Sequence, residues 1–185
     1  MMIPQLERTV FGTYLIVDKI YAYRNLVSRR EKQVSWRWHA DNHPRQIKKI
    51  ALYLTDVDQD TGAMEYLRST RTGEALLMEP KPLLGVNITD RKLAEYHANG
   101  YQPYRLTGKS GTAVLFDDNI VHKANIPIKG YRDAIFLQIR PCTFRPERYI
   151  DEQWTGSFEH VDFNADPYEY QPKPKSKSYM HSSAY

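Results

Sequence analysis

The sequence predicts a mainly β protein, a sandwich or closed barrel, on three observations. Segments rich in β-branched and aromatic residues recur along the chain with apolar side chains at alternate positions: 12–23, 35–41, 49–58, 63–70, 112–118 and 132–141. Turn signals separate them, at 58–62 (DQDTG), 71–73 (RTG), 107–111 (TGKSG) and 128–130 (IKG). Only 89–100 (TDRKLAEYHANG) reads as a helix, with Thr89 or Asp90 as its N-cap and Gly100 placed for a left-handed residue after its end.

The length of 185 residues suits one domain able to bury a core, and 41% apolar with 26% charged residues is a globular composition. No apolar run reaches the roughly 18 residues of a membrane span, so no membrane partner is expected. The N-terminus lacks a basic start followed by an uninterrupted apolar stretch, which argues against a signal peptide. Cys142 is the single cysteine, which excludes an internal disulfide and points to a reducing compartment. A cytoplasmic location is the expectation.

The net charge of +4 does not indicate a nucleic-acid partner. Lys173, Lys175 and Lys177 sit in 171–185, a stretch without acidic residues, and residues 1–170 carry only +1 without them. Residues 171–185 read as a flexible basic tail. Residues 147–170 are acidic yet aromatic, unlike a linker, and are expected to pack over the barrel. That leaves residues 1–146 as the barrel domain.

In the segment SWRWHAD, strand alternation puts Arg37, His39 and Asp41 on one face and Trp36, Trp38 and Ala40 on the other. An imidazole and a carboxylate two residues apart are half of a metal chelate. They are equally a strand-end histidine hydrogen-bonded to an acid. A non-haem iron triad needs a second histidine, and His122, just after the apolar 112–118, is the candidate. Ten residues on, Arg132 opens another strand, and arginine is the side chain that grips a carboxylate with two parallel hydrogen bonds. Arg37 either reaches an anionic substrate or pairs with an acid. His43, before Pro44, reads as a loop residue, His97 as a surface helix residue, and Trp36 and Trp38 as core.

The stretches WHAD, IALYLTDVDQDTGAM, SGTAVLFDDNIVHKAN and YRDAIFLQIRP together resemble the phytanoyl-CoA dioxygenase-like family of Fe(II)/2-oxoglutarate oxygenases, over roughly residues 34–141. The resemblance implies a double-stranded β-helix, the jelly-roll or cupin-like barrel, with one or a few peripheral helices. It implies Fe(II), 2-oxoglutarate and O2 as cofactor and cosubstrates, and a small molecule as substrate. It makes His39, Asp41 and His122 the iron ligands, and Arg132 the partner of the distal carboxylate of 2-oxoglutarate. Halogenating relatives have a small residue in place of the carboxylate, so Asp41 favours hydroxylation. Asp117 or Asp118 is the expected hydrogen-bond partner that would fix an imidazole tautomer.

The chain departs from the family pattern in three places. Arg68-Ser69-Thr70-Arg71 stands where a Pro-Gly-Ser-His-like segment is usual, and Ala124 where Ser or Thr commonly follows the distal histidine. The N-terminal helical portion that can lend a lysine to 2-oxoglutarate is expected to be missing from a chain of this length. Tyr53 or Lys49, which share a strand face, are the expected replacements in the cosubstrate pocket. The alternatives are a cupin-like metal-binding barrel, which usually wants three histidines and a glutamate, and a zinc-dependent hydrolase, which would not need Arg132.

Overall fold

The computed structural model describes residues 2–28, 34–80 and 86–146. The expectations for 147–170 and 171–185 fall outside the described residues.

Two antiparallel sheets form a jelly roll. The first runs in the order β1 (Tyr14–Leu26), β9 (Tyr131–Cys142), β3 (Lys48–Tyr53), β7 (Ala113–Asp117). The second runs β5 (Val86–Asn87), β2 (His39–Ala40), β8 (His122–Lys123), β4 (Met64–Ser69), β6 (Tyr101–Leu106). Their facing sides enclose Ala51, Tyr53, Met64, Phe116, Ala134 and Phe136, all buried. The opposite side of the first sheet carries a second cluster, Leu15, Val17, Ile50 and Ile139. Ile3, Leu6 and Phe11 cover it from helix α1 (Met2–Leu6) and a π-helical turn at Glu7–Phe11. The backbone N–H of Leu15 donates to Glu7 Oε1, tying that cover to β1.

A single register shift in β1 divides its work between the two clusters. Val17 pairs with Ile139 but Lys19 pairs with Gln138, so Asp18 is an extra, unpaired residue. Because side chains alternate, one extra residue exchanges the faces. Leu15 and Val17 therefore point outward under α1. Beyond the bulge Tyr21 is opposite Phe136 and Tyr23 opposite Ala134, on the interior face.

Helix α2 (Asp90–Ala98) lies where the sequence places it. The Thr89 hydroxyl accepts from the Lys92 N–H, and Gly100 adopts φ +83° after its end. Two local expectations differ. The segment 35–41 is not one strand: Val34–Trp36 form a 3-10 turn and strand geometry begins at His39. Trp36 and Trp38 are accordingly only half-buried, and the Lys123 ammonium lies over the Trp38 ring at 5.0 Å. Strand β6 was not foreseen. Its residues are mostly exposed and include Pro103, so it lacks an alternating apolar signal and sits at a sheet edge, where proline is tolerated. No helix among the described residues is long and apolar enough to cross a membrane.

Candidate metal centre

Strands β2 and β8 are two-residue elements, and their pairing puts His39 directly opposite His122. Directly opposed residues share a face, and the two imidazole centroids are 4.3 Å apart. Asp41 follows β2, its N–H donating to the Asp118 carbonyl at 3.1 Å. The next residue, Asn42, takes the left-handed conformation at φ +58°, which asparagine tolerates, and turns the chain away. His39 Nε2 is 3.5 Å from Asp41 Oδ1, and His122 Nε2 is 3.8 Å from Asp41 Oδ2. One donor atom from each of the three residues falls within a 4.8 Å cluster.

The chemistry of this donor set fits a divalent metal. Each histidine has its Nδ1 2.8–2.9 Å from a main-chain carbonyl, that of Arg37 for His39 and that of Ile120 for His122. A carbonyl only accepts, so Nδ1 carries the proton and Nε2 presents its lone pair to the cluster. Burial, with the neighbouring His39, pushes the His122 imidazole down to about 4, so it is neutral near pH 7. Burial alone would raise the Asp41 carboxyl. His39, Lys49 and His122 reverse that and hold it well below the usual carboxylate range. The expected carboxylate partner is therefore corrected: neither Asp117 nor Asp118 touches these imidazoles. Asp117 pairs with Lys48, and Asp118, fully buried, has Oδ2 2.5 Å from His43 Nδ1. Carbonyls two residues back in the chain do the orienting instead.

Asp41, His43 and Asp118 form a second close group of possible ligand atoms. A cation lies between its two carboxylates. Lys49 Nζ is 2.5 Å from Asp41 Oδ2 and 3.8 Å from Asp118 Oδ2. His43 itself lies in a loop, fixed by hydrogen bonds with Asn119.

The triad opens on a cavity of about 220 Å³, walled on its apolar side by Met64, Phe116, Ala124 and Phe136. Lys49 and Arg132 bring two positive charges to it. Arg132 is 1% exposed; its Nη1 donates to the Gly62 carbonyl, and its buried Nε–H has no partner among the described residues. Gly62 is at φ +87°, and an added Cβ there would lie 2.7 Å from the Asn125 carbonyl, so this turn admits only glycine. The Tyr53 hydroxyl donates to the Leu106 carbonyl at 2.8 Å, and Tyr53 does not line the cavity. Arg37 is exposed and outside the cavity; its part here is the carbonyl that orients His39. The face-sharing expected for Arg37 and His39 fails because the chain bends at 37–38 instead of running as a strand.

Sequence reasoning missed Tyr21 and Tyr23, which line the cavity from β1. Their rings alternate as strand residues should. Only the bulge at Asp18 decides which face they take, and nothing local in the sequence announces it.

Comparison with known proteins gives the same fold. The structure of EctD from S. alaskensis with bound Fe superimposes with a TM-score of 0.54 at 18% identity, over 80% of this chain and 53% of that one. The epimerase SnoN, in complex with Fe3+, alpha ketoglutarate and nogalamycin RO, gives 0.54 at 16% identity, over 77% and 57%. AviO1 from Streptomyces viridochromogenes Tue57 gives 0.51 at 19% identity, over 77% and 58%. The chain thus spans little more than half the length of each of these three. No curated protein matches it in sequence. The family model described as phytanoyl-CoA dioxygenase (PhyH) matches residues 31–126, more than half of the chain. That stretch contains His39, Asp41, Lys49 and His122 and stops just short of Arg132. With this match spanning the strands that carry the histidine–aspartate cluster, the chain belongs to the phytanoyl-CoA dioxygenase family, whose cofactor and cosubstrates are Fe(II), 2-oxoglutarate and O2.

Proposed function

We propose that this chain is an Fe(II)- and 2-oxoglutarate-dependent dioxygenase that hydroxylates an unactivated C–H bond of a small molecule. His39, Asp41 and His122 would hold the metal, and Arg132 would hold the distal carboxylate of 2-oxoglutarate. One observation carries the reading: two imidazole Nε2 atoms and a carboxylate share a cavity with a buried guanidinium whose Nε–H is unpartnered among the described residues. A hydrolytic metal site has no use for that guanidinium, whereas a dicarboxylate cosubstrate matches it by charge and geometry.

The bound metal and cosubstrate supply the oxidising chemistry, coupling decarboxylation of 2-oxoglutarate to oxidation of the substrate. The chain supplies placement. The carbonyls of Arg37 and Ile120 keep both imidazoles in the metal-binding tautomer. Lys49 bears on Asp41 Oδ2, and Oδ1 is turned toward His39. Met64, Phe116 and Phe136 keep one wall of the cavity apolar, which limits water around a reactive centre. With Asp41 present as a third ligand, hydroxylation is favoured over halogenation.

The test is an anaerobic titration of the chain with Fe(II) and 2-oxoglutarate. A weak visible charge-transfer band is expected, followed by succinate on admitting air. His122→Ala or Asp41→Ala removes both signals, and Arg132→Ala chiefly weakens 2-oxoglutarate. Absence of band and succinate in the wild-type protein sinks the reading. Zn(II)-dependent hydrolysis indifferent to 2-oxoglutarate would replace it with a hydrolase.

A further inference from the structure

We infer that Tyr23, turned into the cavity by the bulge at Asp18, is a second hydrogen-bond donor for the distal carboxylate of the cosubstrate, completing with Arg132 a two-sided carboxylate clamp. The inference rests on the proposed 2-oxoglutarate site and adds to it a residue from an element outside the stretch that matches the family.

Three observations converge on Tyr23. The first is register. Asn25 is directly opposite Arg132 and Tyr23 is one interior position along, so its ring stands beside the Arg132 side chain on one sheet face. The second is rigidity. The Tyr23 ring stacks on Phe136 at 5.5 Å with 9° between the planes, which fixes where the hydroxyl points. The third is electrostatics. Burial pushes the Tyr23 hydroxyl up, and the Arg132 guanidinium counters it through its charge and a hydrogen-bonding contact. Tyr23 is 44% exposed and lines the same cavity as Arg132.

Two polar neighbours of Arg132 are already engaged, and Ala124 offers no donor. Tyr53 donates to Leu106, Ala124 has no polar atom, and Asn25 Nδ2 donates to the Asn125 carbonyl at 2.9 Å. A carboxylate offers about four acceptor positions, and a guanidinium edge satisfies two. A phenol across from it supplies a third bond and, being neutral, leaves the charge balance to Arg132.

The experiment measures binding, not turnover. The chain is loaded with Ni(II) in place of Fe(II), and calorimetry follows two ligands: 2-oxoglutarate, and pyruvate, which has the same keto-acid head and no distal carboxylate. Tyr23→Phe keeps the stack on Phe136 and removes only the hydroxyl. It is expected to weaken 2-oxoglutarate by roughly ten- to a hundredfold, the usual cost of a hydrogen bond to a charged group, with pyruvate within about twofold. In an Arg132→Gln background the same change should cost much less, because the two side chains act on one group. Unchanged 2-oxoglutarate affinity in Tyr23→Phe overturns the inference. So does an equal loss of both ligands, which marks a structural role. If the wild-type protein binds neither ligand, the proposed function fails first; if it binds both equally, there is no distal subsite and Tyr23 has no such role.

Discussion

Lys49 Nζ lies 2.5 Å from Asp41 Oδ2, so the carboxylate of the histidine–aspartate cluster is matched by a fixed cation. Burial disfavours the charged lysine, but Asp41 and Asp118 more than offset this and raise its pKa. The pair is thus ionised on both sides, and behind it stands Asp118, fully buried, with Oδ1 lacking a partner among the described residues. Lys49→Met removes the cation shared by the part-buried Asp41 and the buried Asp118 and should lower the stability of the metal-free protein by about 3 kcal/mol. A divalent ion at the triad restores positive charge at the same place. Melting under chelator and then with Ni(II) should show a larger metal-induced rise in Tm for the variant than for wild type. Equal rises would mean that Lys49 does not compensate Asp41.

Gly62 and Arg132 are coupled through one carbonyl. The Gly62 oxygen accepts from Arg132 Nη1, and the backbone at φ +87°, against Asn125 and Pro127, excludes a side chain. Gly62→Ala should therefore cost about 1–3 kcal/mol from the left-handed conformation alone, with the close contacts in addition. It should also weaken 2-oxoglutarate by releasing the guanidinium from its anchor. Chemical denaturation and the Ni(II) calorimetry check the two effects together. A variant that loses stability but binds 2-oxoglutarate normally would separate the turn from the site.

Much of the centre was legible in the sequence because strand periodicity is local. His39 and Asp41 are two residues apart, His122 follows an apolar run and Arg132 opens one, so their faces follow from counting. Two kinds of feature were not legible. The turn at 34–38 is made of residues with strand-like side chains, and only the contact of His39 Nδ1 with the Arg37 carbonyl shows why the chain bends there. The orienting carbonyls belong to every sequence equally and so leave no trace in one. Tyr21 and Tyr23 depend on a bulge that one aspartate introduces, and pairing register is a property of two strands 109 residues apart, as the Arg24–Asp133 contact measures.

Glu65 supplies the acid dependence of stability at the second sheet. Only 5% exposed, it pairs with Arg105 at 2.5 Å and Lys123 at 3.1 Å. Burial would raise its carboxyl, but Arg105 and Lys123 win and lower it from 4.5. A carboxyl depressed in the folded state stabilises above its unfolded pKa, and that contribution is lost as pH falls through the folded value. Glu65→Gln should be less stable than wild type at pH 7 by about 1–2 kcal/mol, since Arg105 is half exposed and its share is screened. The difference should shrink as the pH falls below about 4.5. Urea denaturation at pH 7 and pH 4 reads this, and a gap that widens in acid would contradict the assignment.

Deletion of Asp18 tests whether the bulge builds the cavity. Without it, β1 and β9 would pair regularly from Tyr14 to Leu26, and one end of β1 must exchange faces. If the C-terminal half turns, Tyr21 and Tyr23 leave the cavity; if the N-terminal half turns, Leu15 and Val17, at 0% and 3% exposure, leave the cover of α1. The outcomes differ in what they cost. Expelling Leu15 and Val17 removes two well-packed side chains and should cost about 3–5 kcal/mol. Turning out the two half-exposed tyrosines costs less, so the deletion is expected to preserve most of the stability and to strip the cavity of its hydroxyls. The measurements are Tm and the affinity for 2-oxoglutarate on the Ni(II)-loaded protein. Near-native Tm with weakened 2-oxoglutarate is the expected pair of results. Near-native values of both would show that β1 absorbs the deletion elsewhere and that the bulge does not position Tyr23.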